Sequence, residues 1–486
     1  MSSTQQITVD FHGEGAGEGE LTWGQVGIWR MMRRSGRTMN LAGAMVLPEA
    51  TAVEEMAAVL RFVVSRNPAL RTRLRFGDGP SGPGHPRQVV AGSGEVPLQV
   101  FDIEDGDDPD AAAESVRLRY ELSAFDYENE FPVRMGVIRR SGAAVRLVVC
   151  YSHMMVDGAG IEALVRDLEH LDGATGAATA PAPGFSPLEL ALSQAGPAGR
   201  RQNDKSMRHW AAQLDRLSSW QIAEPDESDE PQEARFWQLV GYSPAMELGL
   251  RVIEARTGAS STYVLLGAYA VATARVLGRN PSLAQIVVNN RFRPGFADAV
   301  AQVSQHGICV VDVADTTFDE VVHRARKAAM SASVHGYYDT IERDLLLEET
   351  AARLGRPLDI DWHLNDRRGM AMYGPRADEN LPSGAELKAA MREALPHTQV
   401  FWNHKQPTSD GTLFIHVDPC LRTFIPDDVF LDEERPAVHL QVWADTHHFP
   451  TAQVEAFTRE MEAIVVEATF DAAVPTGVRR LPLPAV

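Results

Sequence analysis

The second half of this chain repeats the order of apolar patterns found in the first, and that repeat constrains the fold more than any single motif. In the first half a short alternating segment, QITVDF, is followed by an amphipathic helix over 52–66 that Asn67-Pro68 ends. The alternating ALRTRLRF then reads as a half-buried strand, with further strands near 133–140 and 144–151. Ile161, Leu164, Val165 and Leu168 fall on one face of a helix over 160–170. In the second half a helix at 243–257 precedes the long apolar helix SSTYVLLGAYAVATARVLG. Strands AQIVVNN and GICVVDV (307–313) follow, then the helix FDEVVHRARKAAMSASVHGYY. Strands around 358–364, 412–418 and 438–445 precede a closing helix at 451–469. The tract GATGAATAPAPG (173–184) has linker composition and parts the halves. These patterns predict two mixed α/β lobes, 1–185 and 186–486.

A chain of 486 residues can bury a large core in each lobe. Its net charge of −20 lacks the basic footprint that a nucleic-acid partner demands. RMMRRSGR (30–37) is a local basic exception. Cys150, Cys309 and Cys420 have no metal-type spacing and read as buried free thiols, which fits a reducing cytosol. The first residues lack a signal-peptide pattern, and no apolar run is long enough to cross a bilayer. A soluble, cytoplasmic protein without a membrane partner is expected. GEGAGEGE resembles a phosphate loop only superficially: its glutamates repel phosphate and no GK[ST] follows, so a flexible loop is predicted.

The segment VRLVVCYSHMMVDGAG carries the chemistry. His153 follows a buried strand and precedes a helix start, where a neutral imidazole suits proton transfer near neutral pH. Asp157 reads as a loop-fixing partner of a buried cation, and Gly158 and Gly160 allow close approach of backbone or ligand. No second ligand is spaced for a metal. The residues alone leave a structural and a catalytic histidine both open. His306, His335, His363, His447 and His448 read as structural or surface histidines. Trp29, Trp210 and Trp443 read as core, and Asn365-Asp366-Arg367 as a loop or core pairing.

SHMMVDG resembles the HHxxxDG signature of the condensation-domain superfamily, whose members join carrier-bound acyl groups in nonribosomal peptide assembly. LTWGQVGIW (21–29) is similar to the family's first motif and SRNPALRTRLRF (65–76) to its second. SPLELALSQ (186–194), SMRHWAAQL (206–214), NNRFRPG (289–295), VAQVSQHGICVVDV (300–313) and SASVHGYYD (331–339) resemble later motifs in the expected order. The resemblance implies a two-lobed, V-shaped pseudodimer of chloramphenicol-acetyltransferase type, with its active site between the lobes. It implies that His153 is the catalytic base and that Asp157 is structural, ion-paired with Arg291 across the lobe boundary. It further implies that Gly158 lines the tunnel for a phosphopantetheine arm. Ser152 stands where the motif has its first histidine, and Ala301 where a glycine is common.

The expected activity is that of a free-standing condensation enzyme, transferring an acyl or aminoacyl group from a carrier-protein thioester to an amine or alcohol. No intrinsic cofactor or metal is expected, since phosphopantetheine arrives on an acyl or peptidyl carrier protein. Arg30, Arg33, Arg34 and Arg37 are candidates for a basic docking face. Two alternatives stand beside this reading: an acyl-CoA-dependent O-acyltransferase, and a non-catalytic member that recruits carrier proteins.

Overall fold

The computed structural model describes residues 5–79, 82–83, 85–217, 234–369, 381–409, 411–419, 429, 431 and 435–480. Cys420 and the acid-rich connection 223–233 lie outside the described residues. The chain divides into two compact units, Met1–Gln202 with Asn289–Gln305, and Asn203–Val288 with His306–Val486.

The first unit is built on a five-stranded sheet in the order Gln5–His12, Ser93–Ile103, Val133–Arg140, Ala143–Ser152, Asn40–Val46. Its pairs are antiparallel except Ser93–Ile103 with Val133–Arg140. A parallel pair needs a crossover, and the helix Pro109–Leu122 supplies it, started by an Asp108 cap and by Pro109 in its first turn. The helix Val53–Arg66 contributes Leu60 and Val64 to a core that contains Leu98, Val100, Val137 and Val148.

Two buried arginines pin the irregular chain of this unit. Arg71 is almost wholly buried and donates to the carbonyls of Gly13, Glu14 and Ala91. A Cβ on Gly13 would lie 2.3 Å from the Ser65 carbonyl oxygen, so only glycine lets the chain pass. The start of GEGAGEGE, predicted as a flexible loop, is therefore held down, and Gly17–Gly19 forms a strand on Arg87–Val90. Arg66 pairs with Asp167 through two bonds of 2.7 and 2.8 Å and also reaches the carbonyls of Ala180 and Pro181. That grip fastens the 173–184 tract to the first unit. The unit then runs on past residue 185, the boundary read from composition, through the helix Pro187–Ala195.

In the second unit a seven-stranded sheet has the order Gln305–Val311, Ser282–Val288, Trp362–Asp366, Leu413–Asp418, Val438–Asp445, Phe236–Ser243, Gln399–Gln406. The long apolar helix is Ser261–Leu277, capped by Ser260 and ended by Gly278 in the left-handed region. It packs with Thr451–Phe470 and Phe318–His335 around Tyr269, Val271, Phe318 and Phe457. The strand expected at 358–364 begins only at Trp362. The Asp359 carboxylate accepts from the Asp361 N–H, the Trp362 indole and the Thr412 hydroxyl, which makes the preceding residues a turn.

Cys150 and Cys309 are buried free thiols, and burial pushes Cys150 up to about 12. His439 and His416 are also held neutral: burial lowers His439 to about 4 and His416 well below the usual imidazole value. The unfolded chain therefore binds more protons than the folded chain across this window, so stability rises with pH. The full contribution is present above about pH 6.5 and is lost as pH falls toward 4. We expect His439 alone to cost about 2 kcal/mol between pH 7 and pH 5, measured by urea unfolding, and His439→Phe to flatten the slope.

Candidate active site

The SHMMVDG segment is positioned by the strand that leads into it. Ala143–Ser152 is flanked on both sides by strands, and each flank extends its pairing by one bond beyond the sheet. Ser152 N–H donates to the Pro132 carbonyl at 3.1 Å, and His153 N–H donates to the Met39 carbonyl at 2.9 Å. The chain then turns tightly, with the N–H groups of Met155 and Val156 both bonded to the Ser152 carbonyl. Met154, Met155 and Val156 plug into the core at no more than 1% exposure, while His153 stays half-buried. Apolar anchoring of its three successors leaves the imidazole as the side chain this turn does not bury. Its Nδ1 is closed off from solvent with no hydrogen-bond partner among the described residues.

Ser152 is fully buried, and its hydroxyl lies 2.7 Å from the Tyr127 hydroxyl. Burial also raises the Tyr127 pKa, so this phenol stays protonated and available as a donor. From the other side the Gln25 amide reaches the Met155 sulfur at 3.4 Å. Gln25 belongs to a capping box with Thr22 that begins the helix Trp23–Ser35.

Asp157 ends the turn and caps the helix Gly158–Asp167, accepting from the Gly160 N–H at 2.7 Å. Arg291 grips the same carboxylate through both terminal nitrogens, at 2.7 and 2.8 Å. Val303 N–H, Ser304 N–H and the Ser304 hydroxyl complete a set of six hydrogen bonds to this buried acid. The terminal nitrogens of Arg291 also donate to the carbonyls of Asn289, Ala299 and Ala301. The pair lies wholly within the first unit, because 289–305 folds there, and so does not cross a lobe boundary as the resemblance implied. Gly158 is the first helical residue and partly exposed. A Cβ on Gly160 would lie 2.9 Å from the Val156 side chain and 3.1 Å from both the Arg291 guanidinium and the Ala301 oxygen. The Ala301 methyl itself packs with Leu190 and Val303.

The first motif meets the same segment. A Cβ on Gly24 would lie 2.4 Å from the Gln302 carbonyl oxygen, and the Trp23 N–H donates to Gln194 of the SPLELALSQ helix at 2.9 Å. Residues from 22–25, 152–160, 194 and 289–304 thus converge on one loop. Sequence reasoning missed Tyr127 and Ser304, which support that loop with single hydroxyls that carry no pattern along the chain.

The remaining histidines sit among structural partners in the second unit. His306, His363 and Phe414 form a ring ladder with centroids 4.5 and 4.8 Å apart, and His416 meets Asn365 at 3.3 Å. His335 stacks on His209, while His448 and Arg235 share Asp445. Arg367 pairs with Asp418, and Asp366 with Arg368. Trp210 is fully buried. Among the described residues no three His, Cys, Asp or Glu side chains gather as a metal site requires, and no helix is long and apolar enough to cross a membrane.

The chain belongs to the condensation-domain family, whose model matches residues 16–353. The polyketide synthase-nonribosomal peptide synthetase of Aspergillus clavatus is 26% identical over 151 residues, 31% of this chain. Nonribosomal peptide synthetase kk1B of Curvularia clavata is 25% identical over 296 residues, 58% of this chain. The matched stretches amount to 4% and 2% of those much longer relatives. Among solved structures, the condensation domain of the Monacolin K polyketide synthase MokA aligns with a TM-score of 0.69 at 16% identity, covering 96% of this chain and all of that one. The X-domain from teicoplanin biosynthesis aligns at 0.65 and 17% identity, over 95% and 97% of the two chains. The fold is therefore that of the condensation domains, the chloramphenicol-acetyltransferase type, and the family context is natural-product biosynthesis.

Removing Arg291 strands a buried carboxylate, and breaking such a pair costs about 3–5 kcal/mol. We expect Arg291→Ala to lose stability on that scale in urea unfolding. Ser152→Ala leaves the Tyr127 hydroxyl only the Met32 sulfur at 3.8 Å; we expect a cost of about 1 kcal/mol in urea unfolding, and the double variant with Tyr127→Phe should recover most of it.

Proposed function

We propose that this protein transfers an acyl or aminoacyl group from the phosphopantetheine thioester of a carrier protein to an amine or alcohol. His153 is the base. Its free ring nitrogen, Nε2, takes the proton from the attacking N–H or O–H as the new C–N or C–O bond forms at the thioester carbonyl. The C–S bond then breaks, and the departing thiolate takes up a proton as the thiol. The observation that carries this reading is the half-buried imidazole at the head of a turn whose every neighbour is anchored. With Nδ1 closed off, proton exchange falls to Nε2. Asp157 and Arg291 hold the turn without touching the reacting atoms. Gly158 lies beside the donor thioester, where a side chain would obstruct the arm.

General-base assistance is worth about 10²–10⁴-fold. Intact-mass analysis of a loaded carrier, incubated with candidate amines and alcohols, should show unloading that falls by that factor in His153→Ala. Carrier binding should persist in the variant. Equal unloading by wild type and variant would overturn the assignment and favour a recruiting role. Inhibition by free CoA together with turnover of acyl-CoA would move the donor from carrier to coenzyme.

A further inference from the structure

The strand Asn40–Val46 ends the order of the first unit's sheet, so its outer side meets no other strand among the described residues. Which backbone groups face outward follows from the inner pairing. Leu47 N–H donates to Val145, and the Met39 carbonyl accepts from His153. Alternate residues Leu41, Gly43 and Met45 therefore turn their peptide groups inward, while Asn40, Ala42, Ala44 and Val46 turn theirs outward. Edge strands usually guard such a row with charge, proline or a bulge. LAGAMV has none of these, its register against Ala143–Ser152 is unbroken, and Met45 and Val46 are 47% and 69% exposed.

Charge flanks this bare edge with opposite sign at its two ends. Arg33, Arg34 and Arg37 precede it, and Glu49, Glu54 and Glu55 follow it. We propose that the edge pairs with the same edge of a second copy of this chain, antiparallel and centred on Gly43. That register sets Ala42 opposite Ala44 and Asn40 opposite Val46, so the outward-facing peptide groups meet in hydrogen-bonded pairs. It also brings the basic end of each strand, which Arg37 precedes, to the acidic end of the other, which Glu49 follows. The two-fold axis of an antiparallel pair stands perpendicular to the sheet, so the helices Pro109–Leu122 of both copies come to lie on one face. That helix packs on the edge strand, Asn40 holds its last carbonyls, and its Leu118 and Leu122 are 41% and 74% exposed. The exposed leucines of the two copies are brought together there. The pairing is an isologous interface, with the same patch used twice.

Sedimentation velocity of the full chain over a concentration series tests the proposal. Wild type should pass from monomer to dimer as concentration rises. Ala44→Pro removes an outward N–H that the folded protomer does not use, so it should remain monomeric with unchanged thermal unfolding and carrier unloading. Arg37→Glu and Glu49→Arg should each weaken the dimer at least tenfold, and the double reversal R37E/E49R should restore it. A wild type that stays monomeric throughout overturns the proposal, as it would if the edge receives a strand from a different protein. A dimer that survives Ala44→Pro and both single reversals overturns it too.

Discussion

A carboxylate withdrawn from water must find its solvation elsewhere, and Asp157 finds all of it in protein. Six donors surround its two oxygens, and they come from three directions: the helix it caps, the Arg291 guanidinium, and the backbone and hydroxyl at 303–304. Together they more than fill the acceptor sites that burial would otherwise leave unsatisfied. The result is less a bond between two residues than a knot joining a helix start, a turn and a distant stretch of chain. Residues 289–305 fold into the first unit although the sequence on both sides of them belongs to the second. The ion pair accounts for that placement, because a bidentate arginine bound to a buried acid cannot drift without stranding both charges.

The same logic accommodates a serine at position 152, where the signature that the segment resembles has its first histidine. The position is fully buried and its backbone already bridges Pro132 and the turn. An imidazole there would need a polar partner, and so does a hydroxyl. Tyr127 provides one at 2.7 Å. Supporting the loop requires a satisfied polar group at this point rather than a particular ring.

Much of this was legible along the chain where burial repeats with a clean period. The helix Ser261–Leu277 and the strands Ala143–Ser152 and Val438–Asp445 lie close to their apolar runs. The motif order marked the family and brought His153, Asp157, Gly158 and Arg291 forward together. Elements without that contrast were invisible. Gln399–Gln406 is an edge strand of mostly polar, half-buried residues, and Asn40–Val46 is made of small and exposed ones. The helix Thr340–Leu354 buries only Thr340 and Thr350 and so shows weak apolar periodicity. Long-range arginine work was also hidden. Nothing in the composition of GATGAATAPAPG announces that Arg66 will hold its carbonyls, so a tract of linker residues became part of a unit.

The division of labour around His153 follows from these constraints. In the reaction we propose, the base must be placed to within a fraction of an ångström yet must exchange its proton freely. A hydrogen bond from Nδ1 to a protein acceptor would fix the ring but also bias its basicity. Here the placement is done by everything except the ring: the Met39 carbonyl holds the backbone, three buried apolar residues hold the turn, and the Asp157 knot holds its exit. Scaffold rigidity thereby substitutes for a side-chain partner. The unpaired Nδ1 is the residue of that arrangement, a buried polar atom without a hydrogen-bond partner on the ring to which we assign the proton transfer.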